Sequence, residues 1–227
     1  MNQKNWKYWA FIFNIFGSSQ FIILTIIAMF FYAGGTYVNA FTSGYSFWYN
    51  YFSDLGRFLA HSGVLNLTSF TIFTFTMNLW GISQIPFYIA LMDSFRNSKR
   101  TKKLGIIGSF FGILTGISFV GIAFTPSDIL GFLHNLFVLL GFSSVYLSIS
   151  LYAIVLFQHE TYPKFYGIIL VITEIILIIY YLIVFFIPKN DMSMELFIYV
   201  TGQKLIIYTL LICGIIQGYG ALRHLLS

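Results

Sequence analysis

Phe165–Ile187 reads FYGIILVITEIILIIYYLIVFFI, an apolar run with one charged side chain, Glu174. A helix needs about 20 apolar residues to cross a hydrocarbon core of roughly 30 Å, and no water is available there to satisfy an open backbone. The run therefore predicts a transmembrane helix. Five further stretches meet the same requirement: Trp9–Tyr32, Val64–Met92, Leu104–Phe124, Ile129–Phe157 and Leu196–Gly218. The expectation is an all-α integral membrane bundle of six transmembrane helices in one domain covering residues 1–227.

Composition agrees. The chain is 58% hydrophobic and 8% charged, against roughly 25% charged in soluble domains. The net charge of +5 would suggest nucleic acid in a soluble protein, but here the basic residues flank apolar runs, so no nucleic-acid partner is expected. Lys4, Lys7, Arg96, Lys99, Arg100, Lys102, Lys103, Lys164 and Arg223 fall on one side, whereas only Arg57 and Lys189 fall on the other and Lys204 lies within a span. Cytoplasmic loops retain Lys and Arg, so both termini are expected inside a plasma (cell) membrane, with anionic lipid beside the basic loops. The N-terminal apolar run lacks a cleavage site after a short apolar core and reads as a retained first helix. The single cysteine, Cys213, leaves no intramolecular disulfide or cysteine metal cluster.

Between the first two helices, a loop of about residues 33–62 holds Tyr37, Phe41, Tyr45, Phe47, Trp48, Tyr49, Tyr51 and Phe52. Such aromatic density suits the membrane interface, either lying on the membrane or folding over the bundle as a lid. Gly108, Gly112 and Gly116, and again Gly214 and Gly218, recur every four residues, which lets helix backbones approach closely. They serve packing within the chain or a homo-oligomer seam. Pro86 and Gly17-Ser18-Ser19-Gln20 mark places where a helix kinks or side chains resupply backbone hydrogen bonds.

Charged groups in hydrocarbon are expensive and become functional candidates. Glu174 and Lys204 read as an ion pair locking two helices, as the lining of a polar cavity, or as a protonated acid beside a lysine that snorkels away. A second group, Asp54, His61, Asp128 and His134, gathers near the starts of helices and offers zinc-type ligands, although no His-x-x-x-His motif is present. Against this, Thr125-Pro126-Ser127-Asp128 reads as a helix start, with Thr125 as N-cap and Asp128 closing a capping box. Ser53-Asp54-Leu55-Gly56 and Ser127-Asp128-Ile129-Leu130 form a weak echo, from stacked hairpins or from shared helix-start chemistry. Asn66-Leu67-Thr68 fits a glycosylation pattern at the mouth of a helix.

The run Asn50-Tyr51-Phe52-Ser53-Asp54-Leu55-Gly56, then Asn66, the Pro126–Asp128 turn, His134-Asn135 and Gly202-Gln203-Lys204 resemble a prokaryotic six-helix membrane family filed as domain of unknown function 998. More distantly, the Ser-Asp motif is similar to Frag/DRAM/Sfk-type proteins, which are associated with lipid remodelling and trafficking. The resemblance implies Asp54, His134, Asn135, Gln203 and Lys204 as ligand-binding positions, joined on physical grounds by Glu174. Lys204 stands where the family tends to have Arg. The family has no agreed activity, so three function classes stay open. They are a non-enzymatic lipid- or small-ligand-binding protein with a cavity between the second, fourth, fifth and sixth helices, a metal-dependent intramembrane hydrolase, and a proton-coupled transporter. Nothing in the sequence calls for a cofactor.

Overall fold

The computed structural model describes residues 3–95, 99–187 and 191–226. Six α-helices follow in chain order: α1 (Gln3–Phe30), α2 (Leu67–Ser94), α3 (Lys99–Phe124), α4 (Gly131–Gln158), α5 (Lys164–Phe186) and α6 (Met192–Leu226). No strand occurs among the described residues. All but α2 are long and apolar enough to cross a membrane, and they leave Ile168, Ile172, Ile175, Ile179, Leu182 and Phe186 of α5 exposed. An aqueous protein does not display such a surface; this is the build of a multi-pass membrane protein. The basic loop residue Arg96, the side chains of Lys99 and Arg100, and Lys189 lie outside the described residues.

Each helix packs against its neighbours in sequence, and α6 returns to α1, closing a ring. The partners across each seam show that neighbours are antiparallel. Between α1 and α2, Lys7 meets Asp93 at 2.6 Å, Gln84 donates to Asn14 at 2.9 Å, and Gln20 donates to the Thr76 carbonyl at 2.9 Å. The α3–α4 seam runs the same way, with Ser148 bonded to the Gly108 carbonyl at 2.9 Å. Asn14 also donates to the Gly214 carbonyl at 2.9 Å, so one buried amide joins α1 to both ring neighbours. Lipid tails are as apolar as the helices, so such polar ties and close small-residue contacts hold a bundle together in a membrane.

The glycine rows are consumed within the chain. A Cβ on Gly116 would lie 2.6 Å from the Gly81 carbonyl oxygen, and one on Gly81 2.7 Å from that of Gly116. The α2 and α3 backbones therefore touch directly. Gly112 accepts the ring of Tyr88, and Gly214 and Gly218 sit against Ser18 and Ile15 of α1. These faces are filled by the chain's own helices.

Two expectations fail. Thr125 does not cap α4: its hydroxyl bonds back to Gly121 at 2.8 Å, residues 126–130 form a turn, and α4 starts at Gly131 after Leu130. The echoed segments also build different structures, because Phe52–Gly56 is a short 3-10 helix whereas Ser127–Leu130 is part of that turn.

Candidate ligand cavity beneath the aromatic loop

The long loop folds over one end of the ring. Its path needs two glycines, Gly34 at φ 96° and Gly35 at φ 81°, in a left-handed region that other residues rarely adopt. A Cβ on Gly35 would also strike the backbone of His61 and Ser62, so the start and end of the loop close on each other there.

Asn50 is the keystone. Fully buried, it donates to the Gly35 carbonyl at 2.9 Å and to Asp54 Oδ2 at 3.1 Å, while its Oδ1 accepts from the Ser46 N–H at 2.9 Å. Asp54 Oδ2 also accepts the Tyr51 N–H at 2.9 Å, and Asp54 Oδ1 meets His61 Nε2 at 3.1 Å. Since a carboxylate accepts, His61 donates through Nε2. Asp54 and His61 are seven residues apart and would share a face if one helix ran through both. The helix ends at Gly56 and the chain turns, yet the two side chains meet.

Other ties come from the bundle. Asn66 donates to the Leu55 and Arg57 carbonyls at 3.2 and 3.0 Å and is 1% exposed, which removes it as a glycosylation acceptor. Asp128 accepts the Phe58 and Leu59 N–H groups at 3.1 and 2.8 Å. Gln203 accepts the Phe52 N–H at 2.9 Å. Lys204, 2% exposed, donates to the Asn50 carbonyl with its ammonium 5.0 Å from the Phe47 ring centre, 5.4 Å from Tyr45 and 5.6 Å from Phe52, within cation–π range. Tyr45 donates to the same Asn50 carbonyl at 2.9 Å, and burial holds its phenol pKa well above the ordinary value, so it stays a donor.

Beside this anchored loop lies a cavity of about 620 Å³. It is bounded by the loop, α4, α5 and α6, without the expected contribution from α2. At its loop end are Arg57, His61, Tyr37, Ser127 and Asn135; deeper along α4 and α6 the wall becomes Val138, Leu139, Phe142 and Ile206, with Tyr180, Tyr181 and Val184 from α5. From Asn135 to Phe142 a helix advances about 10 Å at 1.5 Å per residue, so the α4 wall turns apolar with depth, while Gln203 keeps the α6 side polar next to Ile206. Leu139 and Tyr181 line the cavity yet are also exposed on the outside of the bundle, which marks the α4–α5 seam as its lateral edge.

No family model, curated protein or solved structure matches the chain.

Of the positions named from sequence, Asp54, His134, Asn135 and Gln203 line the cavity. His134 Nδ1 meets the Thr125 carbonyl at 2.7 Å, which fixes the proton on Nδ1 and leaves the lone pair on Nε2. Lys204 is absent from the lining, committed to the loop. Glu174 is elsewhere: it accepts from Ser150 of α4 and does not pair with Lys204, whose ammonium is turned to the loop. The four zinc-type residues do not form a ligand set. Asp128 spends both oxygens on backbone, His134 spends Nδ1 on Thr125, and among the described residues no three His, Cys, Asp or Glu side chains converge. Arg57 and Ser127 were not singled out as site residues; the one sequence signal was that Arg57 is a rare cation on the side poor in basic residues.

Proposed function

We propose that this protein is a membrane-embedded binding protein for an amphipathic ligand, a membrane lipid, held in the cavity between the loop, α4, α5 and α6. The observation that carries this reading is the change along the α4 wall from Asn135 to Val138, Leu139 and Phe142, a polar end followed by an apolar stretch that suits a head group followed by a chain. A lateral edge at Leu139 and Tyr181 supports entry from the bilayer. In the same reading α2 is the sixth span. It runs antiparallel to both α1 and α3 along its length, and its polar side chains are satisfied locally, as with Thr71 on Leu67 at 2.8 Å and Asn78 on Thr74 at 2.9 Å. The end holding most Lys and Arg then faces the cytoplasm, with both termini, in a plasma-type membrane. The resemblance to the domain of unknown function 998 family is part of the proposal, because Asn50, Asp54, Asn66, Gln203 and Lys204 form a single loop-anchoring unit.

The test is native mass spectrometry of the protein released from mild detergent, comparing wild type with Val138→Trp, which fills the cavity. Loss of a retained lipid adduct in a variant that still melts cooperatively is the expected result. Equal lipid retention in both rejects the cavity as the site.

A further inference from the structure

We propose that the loop end of the cavity binds a phosphate group, recognised by Arg57 with Ser127 and Asn135. The inference rests on the cavity being a ligand site and names the chemistry of the head it takes. The argument is a matter of which polar groups remain unspent. Arg57 uses Nε on the Leu59 carbonyl at 3.0 Å, and the ion pairs formed among the described residues do not include it. Its remaining N–H groups, the Ser127 hydroxyl and the Asn135 amide line the cavity without a hydrogen bond inside the chain among the described residues.

The nearby carboxylates are, by contrast, already engaged with the protein. Asp54 accepts from Asn50, Tyr51 and His61, and Asp128 from two backbone N–H groups. Asp54 thus has three of its roughly four lone-pair sites engaged and Asp128 two, all of them in holding the loop. The unspent groups at this end are therefore a guanidinium fork, the Ser127 and Tyr37 hydroxyls, the Asn135 amide and His61 Nδ1, a set led by donors that suit the oxygens of a phosphate. A phosphate here would sit where the wall begins to turn apolar, so a phosphodiester or phosphomonoester attached to acyl chains fills both parts of the cavity.

The probes are dioleoylphosphatidic acid and dioleoylglycerol, which share their chains and differ in the phosphate, and inorganic phosphate alone. The expected result is about tenfold greater retention of the phosphatidic acid by wild type, since a hydrogen bond to a charged group carries that order of discrimination. Arg57→Gln should bring the ratio close to one and Arg57→Lys should recover part of it. Asn135→Leu should also lower it; because Asn135 makes no hydrogen bond among the described residues, this variant guards against misfolding of the Arg57 variants. Thermal protection by inorganic phosphate that is lost in Arg57→Gln, without any lipid preference, would assign the site to the free anion. Equal retention of the two lipids without such protection overturns the phosphate assignment, and the Val138→Trp comparison then shows whether the cavity still holds lipid. Retention of neither lipid, again without protection, overturns both readings.

Discussion

Lys204 and Asn50 are both buried and polar, share a hydrogen bond, and differ in what their loss leaves behind. Removing the Asn50 side chain strands the Gly35 carbonyl, one Asp54 oxygen interaction and the Ser46 N–H, and each orphaned group costs about 1–3 kcal/mol. Removing the Lys204 ammonium leaves the Asn50 carbonyl still bonded to Tyr45 and relieves the desolvation of a buried charge, which often offsets the lost attraction. Asn50→Ala should therefore lower stability in detergent by about 2 kcal/mol or more, while Lys204→Met stays within about 1 kcal/mol of wild type. The second variant should instead speed hydrogen exchange in residues 45–52. Equal destabilisation by the two would show that the lysine is structural in its own right. The ion pair expected between Glu174 and Lys204 was read from charge and depth alone; neither quantity reports which way a side chain turns, and a loop carbonyl outcompeted the distant carboxylate.

The α2–α3 seam tests close backbone packing. Gly81 and Gly116 each face the other's carbonyl oxygen at less than 3.0 Å from a hypothetical Cβ, so a methyl group there must push two helix backbones apart. Overpacking of this kind costs about 1–3 kcal/mol. Gly81→Ala should fall in or above that range in a thermal or denaturant titration. Gly105→Ala in α3, whose nearest neighbour would be 3.8 Å away, should be neutral or slightly stabilising through helix propensity. If both behave alike, the seam is looser than described. The four-residue glycine spacing was legible in the sequence, but its partner was not, because spacing describes one surface and packing needs two. The start of α4 was misread for a related reason: Thr125 and Asp128 have capping chemistry, and both were drawn into other bonds, to α3 and to the loop.

The ring is tied shut at both ends. Opposite the loop, Lys164 donates to the Phe157 and His159 carbonyls at 2.7 and 2.6 Å, satisfying the end of α4, and His159 packs edge-on to Phe95 and His224 at 5.1 and 5.7 Å between ring centres. Burial, then the neighbouring His224 and Lys164, lower the His159 pKa below its ordinary 6.5. The folded chain thus holds this proton less tightly than the unfolded chain does. Its contribution to stability is intact above about pH 6.5 and declines as pH falls from there through the lowered value. The melting temperature of wild type should drop relative to His159→Asn between pH 7 and 5, by a small amount because the ring is partly exposed; parallel curves would remove His159 as the cause.

The all-helical build and the approximate helix bounds were readable because hydrocarbon leaves a chain few choices: apolar length and backbone self-sufficiency together dictate helices wherever the run is long enough; the loop's course, on the membrane or over the bundle, was not. Asp54, His134, Asn135, Gln203 and Lys204 were named from a family resemblance, and Glu174 and Lys204 also as charges in an apolar background. Their roles were decided in three dimensions. A hydrogen bond belongs to a pair, and the partners here lie up to 154 residues apart; only the closed ring and the folded loop determine that Lys204 and Asp128 hold backbone while Arg57, Ser127 and Asn135 are left facing the cavity.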